Sequence, residues 1–194
     1  MSSGMADKPR LPPGQTLVEG FPVLHVGLVP GFDRNSWTFR MFGLVEKEID
    51  LKYDDFVRLP HAAVKADFHC VTRWSRFDNL WEGVRSETIL SLVKTRPEAG
   101  FVTIHCDGGY TTNLPLHEFL DESVLFARRL DGSELAPEHG FPVRLVVPSL
   151  YGWKSAKWVR GVELTAEDKK GFWESRGYHN HGDPWLEERY SLPR

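Results

Sequence analysis

The sequence has almost no cysteine. Its only two thiols, Cys70 and Cys106, allow at most one bridge, which excludes a disulfide-stapled secreted scaffold and fits a reducing compartment. Long hydrophobic runs are missing as well. The most apolar stretch, Phe21–Phe32, is broken by Pro22, Gly27, Pro30 and Gly31, so no membrane span is expected. Residues Met1–Gln15 (MSSGMADKPRLPPGQ) contain neither the apolar segment of a signal peptide nor paired arginines. Charge of one sign does not dominate either: 24 Lys+Arg against 27 Asp+Glu leave a net charge of −3, with the signs intermixed. That balance argues against a dedicated nucleic-acid binder. Internal repeats and low-complexity tracts are absent too.

What is present suffices for one core. With 194 residues, 41% of them hydrophobic, the chain can bury about 70% of its unfolded surface without staples. A metal would therefore serve chemistry. Residues 1–15 are expected to be a disordered or extraneous lead-in, and residues 16–194 a single domain. Within it, alternation predicts strands over Ser36–Val45, Ala63–Val71, Gly100–Cys106, Val143–Val147 and Trp158–Leu164. Val124–Leu130 runs into an Asp131-Gly132 turn that leads to the Val143–Val147 strand. Short helices are expected after Asp50 as N-cap, over Ser86–Arg96 with Ser86 as N-cap, and over Pro115–Asp121. Short strands with scattered helices give an α+β, mixed, strand-rich fold class.

Three segments concentrate chemistry. In Asp67–Val84 (DFHCVTRWSRFDNLWEGV), His69 and Cys70 stand together at a strand end, and the rest reads as a turn or loop. Such a thiolate can ligate a soft metal, or act as a nucleophile activated by His69 or His105, while a buried core cysteine is the plain alternative. In Tyr151–Val159 (YGWKSAKWV), Lys154, Ser155 and Lys157 form a possible phosphate cradle that lacks the Walker spacing. The aromatic stretch Gly171–Tyr190 brings Arg176 and Tyr178 into a loop and sets His179, His181 and Asp183 close together. These three are weak zinc candidates, because neither H-E-x-x-H nor paired C-x-x-C occurs.

The motifs FHCVTRWS, GYTTNLPL, HGFPVRLVVP, YGWKSAKWV and FWESRGY, in this order, resemble the molybdopterin-binding domain of the sulfite oxidase family, and in particular its small sulfite-oxidase-like oxidoreductases. The resemblance runs from about Phe21 to Tyr190. It implies the sulfite oxidase molybdopterin-binding fold and a molybdenum–molybdopterin oxidoreductase that moves an oxygen atom to or from a small sulfite-like or sulfoxide-like molecule. It makes Cys70 the metal ligand, with Tyr110 and Arg176 positioning the substrate oxygen. His139 and Arg144 would touch the pterin, Ser155, Ala156 and Lys157 would hold its phosphate end, and His25, His69 and His105 would belong to the same pocket.

Departures from the family pattern carry weight too. Where sulfite oxidases have an R-N-H stretch, this sequence reads Val23-Leu24-His25-Val26-Gly27, so one oxyanion-binding cation is missing. A C-x-x-C-H haem site is absent, which implies an external electron-transfer partner. The immunoglobulin-like dimerisation domain is absent, which implies a monomer. A cytoplasmic enzyme without membrane or nucleic-acid partners is expected. A cysteine-dependent thiol enzyme and a cofactor-free binding module on the same fold are the alternatives.

Overall fold

A computed structural model describes residues 9–192. In chain order its elements are β1 (Thr16–Leu17), β2 (Thr38–Gly43), β3 (Ile49–Lys52), α1 (Tyr53–Val57), β4 (Ala62–His69), β5 (Trp74–Arg85), α2 (Ser86–Leu90), β6 (Phe101–Cys106), β7 (Thr111–Pro115), α3 (Leu116–Phe119), β8 (Leu125–Leu130), β9 (Ser133–Glu134), β10 (Arg144–Val146) and β11 (Val159–Thr165). This is the strand-rich α+β class expected. One sheet has the order β3-β2-β11-β6-β7, with only the β11–β2 pair parallel. The other is built on β5, which pairs with β4 along one edge and with β1 and β8 along the other; β9 and β10 join β8. Among the described residues no helix is long and apolar enough to cross a membrane.

Alternation in the strands decides where the core lies. In β2, Phe39 and Met41 are fully buried while Thr38 and Arg40 face out. Phe39 meets Phe126 of β8 edge-on at 5.2 Å, so the main core fills the space between the two sheets. The neighbours of Phe126, Leu125 and Ala127, face the other way into a second cluster with Phe68, Cys70, Trp81, Tyr151 and Trp153. The β5 sheet is therefore covered on both faces.

Several expectations are corrected. Only Cys70–Arg73 of the expected loop is a turn, and Trp74–Arg85 is the longest strand. Its alternation is hidden because two inward positions are polar: Ser75 contacts His69, and Asn79 donates to the Ala66 and Arg76 carbonyls. Asp50 caps nothing; it lies in β3 opposite Arg40, and α1 starts after Lys52. The helix expected over Ser86–Arg96 stops at Leu90, because the backbone of Lys94 and Arg96 bonds to Glu46 and Leu44 instead. Ser86 is its first residue, not its cap, and its hydroxyl donates to the Val124 carbonyl. The Asp131-Gly132 turn closes a hairpin onto β9 before the chain reaches β10. Of the expected lead-in, residues 1–8 lie outside the described residues. Residues 9–15 pack on the body, with Arg10 bonded to Asp67 and Gln15 to the Cys70 carbonyl.

Candidate cofactor site

Cys70 ends up at the tip of the β4–β5 hairpin. The Cys70 N–H donates to the Trp74 carbonyl and the Arg73 N–H to that of Cys70. Arg73 takes the left-handed conformation, φ +73°, that reverses the chain. Three remote segments pin this tip: Gln15 Nε2 donates to the Cys70 carbonyl at 3.0 Å, the Gly152 N–H to that of His69 at 2.7 Å, and Arg189 Nη1 to that of Val71 at 2.7 Å. Gly152 is required there, since a Cβ would come within 2.5 Å of the Phe68 ring. The Cys70 Sγ lies 3.1 Å from Thr72 Oγ1 and lines a cavity of about 350 Å³, a volume typical of small-molecule sites.

Two cations share that cavity. Arg144, at the start of β10, is 3% exposed, with its guanidinium among the rings of Phe21, Phe68 and Trp81 at 5.4, 5.0 and 5.7 Å. Nη1 donates to the His139 carbonyl, while Nε is buried without a partner among the described residues. Burial pulls its pKa down to about 10. Lys157 donates to the carbonyls of Leu24 at 2.8 Å and Glu138 at 2.6 Å. Burial, reinforced by Arg144, depresses its pKa to about 7. Gly140, φ +114°, lets the His139 turn approach both: a Cβ there would lie 3.0 Å from Arg144 Cβ and 3.2 Å from that of Lys157.

Other expected residues join the cavity in different roles. Tyr110 lines it, but its hydroxyl donates to the Trp153 carbonyl at 2.6 Å, and burial, with Glu174 nearby, holds the phenol protonated. Ser155 and Ala156 line it as well, with Ser155 Oγ accepting the Val147 N–H. His25 stands exposed at the rim, edge-on to Trp158, its Nδ1 facing the Gly27 carbonyl. His139 is not in the wall; it serves Arg144 through its carbonyl and packs edge-on against Phe21.

The remaining expected residues lie away from the cavity. His69 and Cys70 follow one another in extended backbone and so point to opposite faces. His69 is buried against Ser75 and Trp185, and burial lowers its pKa to about 4. It activates nothing at the thiol. His105 lies outside the wall and pairs with Glu163 on the other sheet. Lys154 turns inward to Glu174 at 2.7 Å, so it is no part of a phosphate cradle. Arg176 is exposed outside the cavity, its guanidinium 3.7 Å from the Phe172 ring and bonded to the Phe172 carbonyl. His181 bridges Glu118 and Glu188, which raise its pKa to about 9. Among the described residues no histidine, cysteine and acid group is arranged to hold a metal by itself.

Sequence reasoning missed Thr72, Trp74, Asp107 and, around His25, the apolar residues Phe21, Leu24, Val26 and Leu28, all of which line the cavity. The apolar residues crowded into a segment broken by proline and glycine were the available signal. Taken together, a thiol, two under-compensated cations and two buried donors without partners, Arg144 Nε and Trp74 Nε1, suit an anionic guest rich in oxygen and nitrogen that also carries a soft metal. Each orphaned donor costs about 1–3 kcal/mol while it stays unpaired.

Known proteins agree with that chemistry. The family model described as "Oxidoreductase molybdopterin binding domain" matches residues 25–173. The oxidoreductase YuiH of Bacillus subtilis is 48% identical over 94% of this chain and 92% of its own length. The protein-methionine-sulfoxide reductase catalytic subunit MsrP of Campylobacter jejuni is 29% identical over 81% of this chain, which spans only 58% of that relative. The sulfane dehydrogenase SoxCD of Paracoccus pantotrophus superposes with a TM-score of 0.66 at 22% identity, over 72% of this chain and 41% of that one; this likeness shows the fold.

Proposed function

The chain belongs to the oxidoreductase molybdopterin binding domain family, and on that premise we propose that Cys70 is the protein's ligand to molybdenum, with Arg144, Lys157 and the Gly152–Lys157 backbone holding the pterin and its phosphate. One observation carries this reading: a thiol, a buried cation and a half-buried one, the thiol more than seventy positions from the cations, line a single cavity. When bound, the cofactor supplies two-electron chemistry that carries an oxygen atom to or from a small substrate. The protein's part is positional. The pinned hairpin tip fixes the sulfur, Arg144 and Lys157 present charge without needing to reorganise, and the aromatic wall excludes water. Tyr110, protonated and tied to Trp153, stiffens the wall beside the thiol. Electrons are exchanged with an external partner. Both thiols are free, in keeping with a cytoplasmic setting.

Metal and pterin analysis of protein from a molybdopterin-making host tests this directly. Cys70→Ser is expected to abolish turnover with an unchanged circular dichroism spectrum and melting temperature; undiminished activity would remove the proposal. Arg144→Ala should weaken cofactor affinity about tenfold or more, the worth of a lost charged hydrogen bond. Equal pterin content after dialysis of wild type and variant would contradict that role.

A further inference from the structure

Among the described residues that line the cavity, Asp107 is the one acid. The chain is bent to bring it there. Asp107 opens a tight turn in which Gly108 and Gly109 are both left-handed, φ +72° and +76°, although a Cβ on either would meet nothing within 4 Å. Glycine is needed here for the bend and not for space. The Asp107 N–H donates to the carbonyl of Trp158, a bulky residue that is itself left-handed at φ +56°. Strain of that kind persists where the surroundings enforce it, most often at a working site.

The bend presents a carboxyl that accepts no hydrogen bond from the described residues. Its nearest cation, Arg160 on β11, stands 3.7 Å away. The Cys106 thiol on β6 is its other titratable neighbour, kept protonated by burial. Burial raises the Asp107 pKa and Arg160 opposes the shift. The side chain is 30% exposed, so it reaches water and the cavity at once.

The other titratable groups of the wall are engaged. Cys70 belongs to the metal on the cofactor reading, and Arg144 and Lys157 donate to carbonyls and meet the anionic guest. The Tyr110 hydroxyl donates to the Trp153 carbonyl, and Tyr178 packs against Trp153 and Trp173. His25 stands at the rim with Nδ1 on the Gly27 carbonyl.

Moving an oxygen atom between a small molecule and water takes two electrons and two protons. Resting on the cofactor reading above, we propose that Asp107 is the group through which those protons pass between solvent and cavity. As electrons enter from a reduced viologen, the Asp107 O–H gives its proton to the cavity, the carboxylate is held beside Arg160, and water returns a proton from the solvent side. When electrons leave, the same steps run backwards. For each oxygen atom released as water, two viologen radical cations are oxidised and two protons are drawn from solvent.

The test needs no substrate. Cofactor-loaded enzyme is mixed with reduced methyl viologen in lightly buffered solution, and viologen oxidation and proton uptake, the latter read from an indicator dye, are followed together. Wild type should take up protons as fast as it oxidises viologen. Asp107→Asn should slow proton uptake about tenfold or more, a positioned acid being worth about a hundredfold, with metal content, pterin content and melting temperature unchanged. Asp107→Glu should restore most of the rate. In cofactor-free protein, the infrared band of protonated carboxyls should keep a component above the ordinary aspartate midpoint of about 3.9 that Asp107→Asn removes. Reduction without proton uptake, a slowing of less than about tenfold, a rate that Asp107→Glu leaves low, or an infrared band that Asp107→Asn leaves unchanged would overturn the inference while the cofactor reading stands. Loss of pterin from Asp107→Asn would overturn it too, by making Asp107 a residue that holds the cofactor. Wild-type protein with neither molybdenum nor pterin would instead refute the cofactor reading, and this inference with it.

Discussion

Lys154 and Lys157 belong to the same turn, yet the two sides of that turn treat an ammonium group in opposite ways. On the inner side, Lys154 meets the Glu174 carboxylate together with the Asn113 carbonyl, the Asn113 side-chain oxygen and the Asn180 carbonyl. Glu174 also accepts from Thr112 and from the Trp153 indole. Burial lowers the Lys154 pKa, but Glu174 opposes the shift. On the cavity side, Lys157 has two carbonyls, Arg144 as a neighbour and no carboxylate bonded to it. The balanced charge builds the wall. The unbalanced one is suited to an anion, because a half-buried cation short of counter-charge gains most from a ligand that supplies it.

The largest effect should come from breaking the balanced side. Lys154→Met strands Glu174 in the core and should cost about 3–5 kcal/mol, read as a fall in the midpoint of denaturant unfolding. Adding Glu174→Gln should recover part of the loss. If Lys154→Met melts like wild type, the inner network is not structural. Lys157→Met is the sharpening counterpart: about 1 kcal/mol or less of stability, but a marked drop in pterin content. The same variant predicts a pH signature in cofactor-free protein. The folded pKa of Lys157, about 7, lies below its ordinary 10.5, so the unfolded chain binds more protons between these values and stability should rise with pH across that window. The methionine variant should lose this slope; an identical slope would show that Lys157 is not the group responsible.

The smallest effect belongs to the half-exposed margin of the inner network, where His181 bridges Glu118 and Glu188. Its pKa is raised to about 9, so its contribution is complete below about 6.5 and fades as pH climbs through 9. Discounted for solvent, it is worth about 1 kcal/mol, or about 2–4 °C of melting temperature. His181→Gln should melt that much lower at pH 6 and match wild type at pH 10.

How much of this could be read in the sequence depends on where each partner lies. Cys70, Arg144 and Lys157 were legible as a set because each sits in a distinctive motif. The inward course of Lys154 was not, since its counter-ion is twenty positions away and nothing local reveals it. The His69–Cys70 pair misled for a simpler reason: adjacency in a strand means separation in space. β5 was hidden by Ser75 and Asn79, polar residues that pack inward because β4 and β5 satisfy them. The rim was hidden because Phe21–Leu28 follows no period; its order comes from bonds such as that of Lys157 to Leu24.

The hairpin tip that carries Cys70 is moored from positions 15, 152 and 189. Because Arg189 leaves the ribosome last of these, the tip gains its full set of ties only once the chain has been made as far as position 189. Any guest that needs the moored thiol therefore has to wait for that point, and loss of Gln15 or Arg189 would be felt at the hairpin tip.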